Sequence, residues 1–251
     1  MTLHFIGIGL NDEKDITVKG LEIIKLCDFV YLENYTSKLQ VDIDKLKEFY
    51  EKEIIVADRA LVEKRAEEIL EKAKDKEVAF LVIGDIFGAT THTDLLLRAR
   101  KANIELNFVY NASIMNAIGV TGLELYKFGI TTSVPYPSGS FEPQTAYDVL
   151  KKNRQNGLHT LMLLDIKSEE GRFMTVNEAL NILLNIEKKR KEKLVTADTL
   201  CLGCARIGGD HKIKYAKISE LLDLNFGDPL HCLVFPGKLH FIEEEALEQW
   251  K

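Results

Sequence analysis

The sequence predicts an α/β protein built as two domains, and three observations predict it. Short apolar runs alternate with amphipathic stretches through the first 110 residues; that texture changes after Tyr110; and acids, amides and glycines stand just behind several of the apolar runs. The chain has 251 residues, enough for two units of ~100–200 residues each. The expected domains are 1–110, an α/β unit, and 111–251, a mixed-sheet α/β unit.

The elements follow in order. Residues 3–8, LHFIGI, form an apolar strand, and Thr17 is the expected N-cap of the helix VKGLEIIKLC. DFVYLE (28–33) is a second strand. Amphipathic helices over 42–50 and 59–74 flank a strand at EIIVA. VAFLVIG is a fully apolar strand, 92–102 a helix, and IELNFVY another strand. Such βα repetition gives a mainly parallel sheet covered on both faces. ASIMNAIGVTGLELYKFG reads as a small-residue helix or connector, followed by the proline-rich TSVPYPSGSFEP. A helix at 142–156 and the strand HTLMLLDI come next. Thr175 and Glu178 form a capping-box pair opening NEALNILLNIEKK. Strands TLCLGCARI, HKIKYAKI and LHCLVFPG precede a last helix near FIEEEALEQW, and KKRKEK (188–193) is a solvated helix end.

Composition narrows the function classes. Hydrophobic residues make 46% and charged residues 29% of the chain, as in ordinary globular enzymes. A formal net charge of -6 opposes bulk nucleic-acid binding, which needs a basic face. No apolar run reaches the ~20 residues of a membrane span, and the amino terminus lacks a signal-peptide layout. A cytoplasmic protein is expected. Cys201 and Cys204 have suggestive spacing, but no second ligand pair follows them. They read as strand-interior residues, and no metal site is expected.

Two glycine-bearing stretches carry the chemistry. Gly7-Ile-Gly9-Leu10-Asn11 follows the first strand, yet the third glycine of a dinucleotide fingerprint is replaced by Asp12 and the helix starts late. A nicotinamide cofactor is therefore disfavoured. In LVIGDIFGATTHTDL, Gly84 permits a sharp exit from the strand, Asp85 presents a carboxylate at its end, and Gly88 and Ala89 leave room for a ligand. An acid at the carboxyl end of a buried strand is a ligand position in open α/β sheets. Thr91 with Asp94 reads as a helix cap. NASIMNAIG and the acid Asp165 mark further strand ends, so the polar groups converge as they would at a cleft. For His92 and His231, packed and hydrogen-bonded roles are expected.

With these blocks in view, the chain resembles the diphthine synthases, S-adenosylmethionine-dependent methyltransferases of the tetrapyrrole-methylase fold family. The matching blocks run in order through nearly the whole chain: FIGIGLNDEKDITVKGLE, VYLENYTSKL, VADR, GDIFGATTHTDL, NASIMNAIG, GLELYKFG, KKNRQNGLHTLMLLDIK, RFMTVNEA and GDPLHCLVFPG. The resemblance implies two α/β domains of the class III methyltransferase type with the cofactor in a cleft between them, and a homodimer. The implied substrate is the 3-amino-3-carboxypropyl-histidine of translation elongation factor 2. Cofactor contacts carried over fall on Leu10, Asp85, Gly88, Ser113, Ile114, Leu164, Ile207 and His231.

Ile86 stands where the family usually has proline. The block NRQNGLHTLMLLDIK is similar to eukaryotic members, associated with four methylations including a methyl ester. The short connection from Lys167 to Thr175 is similar to archaeal members, associated with trimethylation of the amine. No catalytic base is assigned. Three rivals stand beside this reading. A tetrapyrrole methyltransferase would carry Pro-Gly where Leu10-Asn11 stand. A nicotinamide oxidoreductase is opposed by Asp12, and a binding scaffold has little need for converging polar strand ends.

Overall fold

The structure, a computed structural model, describes residues 1–88, 92–139 and 142–251. It divides into two compact units, Met1–Ala117 and Ile118–Lys251.

The first unit runs β1 (Thr2–Gly7), α1 (Val18–Leu26), β2 (Phe29–Glu33), α2 (Ile43–Tyr50), β3 (Ile55–Ala57), α3 (Arg59–Lys64), α4 (Glu67–Asp75), β4 (Val78–Val82), α5 (Thr93–Lys101), β5 (Glu105–Val109) and α6 (Ile114–Ala117). Its strands pair in parallel in the order β3-β2-β4-β1-β5. The period-2 pleat divides the side chains between two cores. Leu3, Phe5, Val78, Phe80 and Val82 face α3, α4 and α5 residues such as Leu61, Ile69 and Leu95. Ile6, Ala79 and Leu81 face Ile24, Leu46 and Tyr50 on the other side. Both faces of β4 are thus buried, which is why VAFLV carries no polar residue. Thr17 caps α1, its hydroxyl accepting from Gly20 N at 3.0 Å. The helix expected over 59–74 is instead two. Asp58 caps the first through Leu61 N, the chain turns at Arg65, and Ala66 is thereby fully buried.

The second unit holds β6 (Thr132–Val134), α7 (Thr145–Gln155), β7 (Thr160–Leu164), β8 (Ile166–Lys167), β9 (Arg172–Phe173), α8 (Val176–Arg190), β10 (Leu200–Ala205), β11 (Lys212–Lys217), α9 (Ile218–Leu222), β12 (His231–Phe235) and α10 (Phe241–Glu248). Ile118–Thr121 and Leu125–Lys127 are single 3₁₀ turns. The five-stranded sheet has the order β11-β10-β12-β7-β6, antiparallel except for β6 with β7; β8 and β9 form a separate hairpin. Helix α8 lays Leu180, Leu183 and Ile186 on the sheet residues Met162, Cys201 and Leu233. The Thr175–Glu178 capping box opens α8 as expected.

A buried carboxylate fastens the C-terminal helix. Glu243 accepts from the Glu124 and His240 amides, from Lys127 Nζ, and from His159 Nε2 at 2.8 Å. Burial opposes its ionisation, but these donors win and bring the carboxyl to about 2. Among the described residues no helix is long and apolar enough to cross a membrane.

Candidate functional site

In the first unit the carboxyl ends of β4, β1 and β5 lie side by side, and their loops are cross-linked. Gly84 N donates to Gly9 O at 2.7 Å and Gly9 N to Gly84 O at 3.3 Å, joining the β1 and β4 loops. Gly9 sits at φ 78°, and a Cβ there would stand 2.2 Å from Cβ of Asp15. The Asp15 carboxylate accepts from Leu10 N at 3.0 Å and Asn11 N at 2.7 Å. The amides that a dinucleotide pyrophosphate would use are therefore spent on the protein's own anion. From the β5 side, Asn111 Nδ2 donates to Gly7 O and Asp15 O, both at 2.9 Å.

Asp85 fits into this weave with both carboxylate oxygens. Oδ1 accepts from Phe87 N and Oδ2 from Asn111 N, each at 3.0 Å, so the side chain fixes its own loop and ties it to the end of β5. Each oxygen keeps a further lone pair for a ligand. Gly84, at φ 88°, faces two of the residues expected around a cofactor, Leu10 and Ser113, together with Ala112. A Cβ on it would meet Leu10 Cδ2 at 3.7 Å, Ala112 O at 3.8 Å and Ser113 Cα at 3.9 Å. Ser113 is buried at the head of α6, whose first residue is Ile114. Gly88 is tighter than the sequence implies: a Cβ there would lie 2.6 Å from both Cβ and Oγ of Ser113. Leu10, Asp85, Gly88, Ser113 and Ile114 are thus one cluster.

In the second unit, register brings the remaining three together. Ala205 pairs with His231, and Cys232 with Leu163, across antiparallel strands. Leu164 at the end of β7, His231 at the start of β12 and Ile207 just past β10 therefore sit at one end of that sheet. His231 accepts from Val176 N at Nδ1, so its proton is on Nε2, which donates to the carbonyls of Gly227 at 3.2 Å and Asp228 at 3.1 Å. Burial holds this imidazole below its ordinary pKa even though those two carbonyls favour the proton.

Arg206 organises the same end. At φ 52° it turns the chain, its own N–H donates to Leu230 O, and its guanidinium reaches the carbonyls of Asp210, Phe226 and Asp228 at 2.9–3.0 Å.

His92 is buried as expected, edge-on to the rings of Phe80 and Tyr35. It differs from expectation in hydrogen bonding. Among the described residues neither ring nitrogen meets a partner at hydrogen-bond geometry, and Nε2 stands 3.4 Å from the buried Glu33 Oε2. Thr91, expected as a cap, lies outside the described residues. Cys201 and Cys204 are buried in β10, three residues apart and so on opposite faces of the strand. Asn111 opens the NASIMNAIG strand end marked in the sequence, whereas Asp15 and Arg206 were not singled out from sequence. An Asp six residues past Gly9 is a faint signal at best, and a guanidinium spanning three backbone carbonyls leaves none.

A family model for tetrapyrrole (corrin/porphyrin) methylases matches residues 2–221. The diphthine methyl ester synthase of Dictyostelium discoideum is 48% identical over 269 residues, covering 100% of this chain and 98% of that one. The diphthine synthase of Methanococcus aeolicus is 48% identical, covering 96% of this chain and 95% of its own. A crystal structure of a protein from Entamoeba histolytica superposes with a TM-score of 0.93 at 48% identity, over 100% of this chain and 98% of the other.

Proposed function

Since the chain belongs to the tetrapyrrole (corrin/porphyrin) methylase family, we propose that it is the methyltransferase that acts on elongation factor 2 in diphthamide biosynthesis. Its methyl donor is S-adenosylmethionine and its acceptor the 3-amino-3-carboxypropyl-histidine of that factor. Relatives from a eukaryote and an archaeon, both 48% identical across nearly their full lengths, carry diphthine in their names.

The observation that carries the site assignment is the ring of Leu10, Ala112 and Ser113 around Gly84, with Asp85 beside it. Backbone is approachable there, the lining is small and apolar, and the acid keeps acceptor capacity. Those features fit a nucleoside with an amino-acid tail and no phosphate. Leu10, Asp85, Gly88, Ser113, Ile114, Leu164, Ile207 and His231 are the proposed cofactor contacts. When bound, the cofactor supplies a sulfonium methyl whose leaving group is a neutral thioether.

The protein's part is alignment. Asp85 and the Gly9–Gly84 crossing hold the lining in one geometry before the ligand arrives. Positioning of this kind can account for ~7–11 kcal/mol of a barrier. The deciding experiment is methyl transfer to elongation factor 2 bearing the unmethylated precursor, with mass spectrometry of the product. Four added methyl groups would match the eukaryotic relatives and three the archaeal ones; none would refute the acceptor.

The same reading makes the protein a cytoplasmic homodimer. Exposed Phe87, Tyr110 and Met115 near the strand ends supply apolar surface for a subunit contact, which needs to bury more than ~1,000 Å². Sedimentation at micromolar and nanomolar concentrations tests it; a monomer throughout refutes the dimer alone.

A further inference from the structure

Three side chains in the second unit share a spot to which the site described above gives no role. Lys167 on β8 and Arg172 on β9 are direct cross-strand partners, so their side chains leave the hairpin on the same face. Both lie over the ring of Tyr136. The Arg172 guanidinium carbon stands 3.6 Å from the ring centroid and Lys167 Nζ 5.7 Å. Tyr136 itself is 8% exposed, and its buried hydroxyl has no hydrogen-bond partner among the described residues.

Like charges placed directly opposite on a ribbon destabilise it, and these strands are only two residues each. Nearby carboxylates give partial relief. Glu170 is 3.5 Å from Lys167 and Glu178 is 3.7 Å from Arg172, while the other oxygen of Glu178 is committed to capping α8. A guanidinium stacked on an aromatic face keeps its in-plane N–H fork for an acceptor, and that fork matches a carboxylate. An unpaired buried hydroxyl is costly unless something meets it. Two half-exposed cations and one orphan donor make the donor set of a carboxylate site.

We propose that Lys167, Arg172 and Tyr136 form a carboxylate subsite for the amino-acid end of the methyl acceptor. This rests on the acceptor proposed above, whose side chain carries a carboxylate beside the amine. The hairpin begins directly after Leu164 and Asp165, and Asp165 fixes Tyr136 by accepting its amide at 2.8 Å. Pinning the carboxylate here leaves the neighbouring amine free for methylation. The methionine carboxylate of the cofactor has the same chemistry, so the test separates the two.

The full chain is compared with Lys167→Gln, Arg172→Gln and the double variant. Transfer to precursor-bearing elongation factor 2 gives kcat and the acceptor KM, calorimetry gives S-adenosylmethionine affinity, and thermal melts report folding. The acceptor KM should rise at least tenfold in each single variant and further in the double, with cofactor affinity within twofold of wild type. Lys167→Gln should melt no lower than wild type, because a repulsive pair has been relieved; a purely structural Lys167 would lower the melt and leave KM alone. Arg172→Lys, which keeps charge without the fork, should fall between. An unchanged acceptor KM in the folded double variant overturns the subsite. A loss of cofactor affinity matching the KM rise also overturns it, by giving the carboxylate to the cofactor. If the wild-type chain binds S-adenosylmethionine but transfers nothing to the factor, the acceptor reading falls and takes the subsite with it. That failure is distinct, because it appears before any substitution is made.

Discussion

The first unit assembles its cluster from strands that all run one way, so three loops emerge at one edge and are laced together by Asp15, Asp85 and Asn111. The second unit reaches the same result from opposed strands. The end of β7, the start of β12 and the turn after β10 meet through register, and one guanidinium ties the turn to the segment before β12. In the first unit each tie is made by a short acid or amide close to the backbone it holds. In the second, a single long side chain makes several. A short-range weave should fail abruptly when a backbone position is filled, whereas a guanidinium hub should weaken by degrees.

The largest effect should come from Gly9→Val. Its Cβ collides with Asp15 at 2.2 Å and its φ of 78° suits glycine alone. A loss of about 2–4 kcal/mol is expected, read from denaturant melts, together with loss of S-adenosylmethionine binding. A variant that melts like wild type would break the comparison at its root.

Asp85→Ala comes next. Loss of a charged acceptor that also holds Phe87 N and Asn111 N should weaken cofactor binding by about 1.5–3 kcal/mol and lower the melt as well. Calorimetry on folded protein that returned wild-type affinity would remove Asp85 from the site.

Arg206→Lys should act more gently. The ammonium can satisfy some of the three carbonyls and the turn survives, so affinity should fall by about 1 kcal/mol. An effect as severe as that of Gly9→Val would show that the two units are built alike.

The smallest effect is a pH dependence. The folded pKa of His231 lies below its unfolded value, so the unfolded chain binds the proton more readily. Its contribution to stability is complete above about pH 6.5 and is lost as pH falls toward the folded value. Buried His159 is depressed in the same direction. His231→Asn should flatten part of the fall in melting temperature between pH 7 and 5, and an unaltered slope would show that the imidazole is not the titrating group.

Legibility in the sequence followed the same divide. In the first unit, VAFLV and the Gly84-Asp85 exit could be read directly, because a strand buried on both faces is apolar without interruption and its end is abrupt. The α3–α4 break was not legible, since Arg65 is a good helix former and the turn follows from packing Ala66 into the core. In the second unit, β6 is three residues hidden between a connector and prolines. The β8–β9 hairpin is too short for periodicity to register. Helix α9 continues straight from β11 without a breaker, so its first residue, Ile218, reads as the end of the strand and the helix is missed. The pairing of Ala205 with His231 is a long-range fact that no local pattern holds.

Asp15 has a consequence for competition inside a cell. Adenine nucleotides are abundant there, and most bear di- or triphosphates that seek unpaired amides at glycine loops. This loop arrives with its two leading amides already bonded to an internal carboxylate. A phosphate approaching it would lose the hydrogen bonds it seeks and meet a like charge instead. On the proposed function, a phosphate-bearing nucleotide would be disfavoured before any contact with its base, by a side chain that need not touch the cofactor.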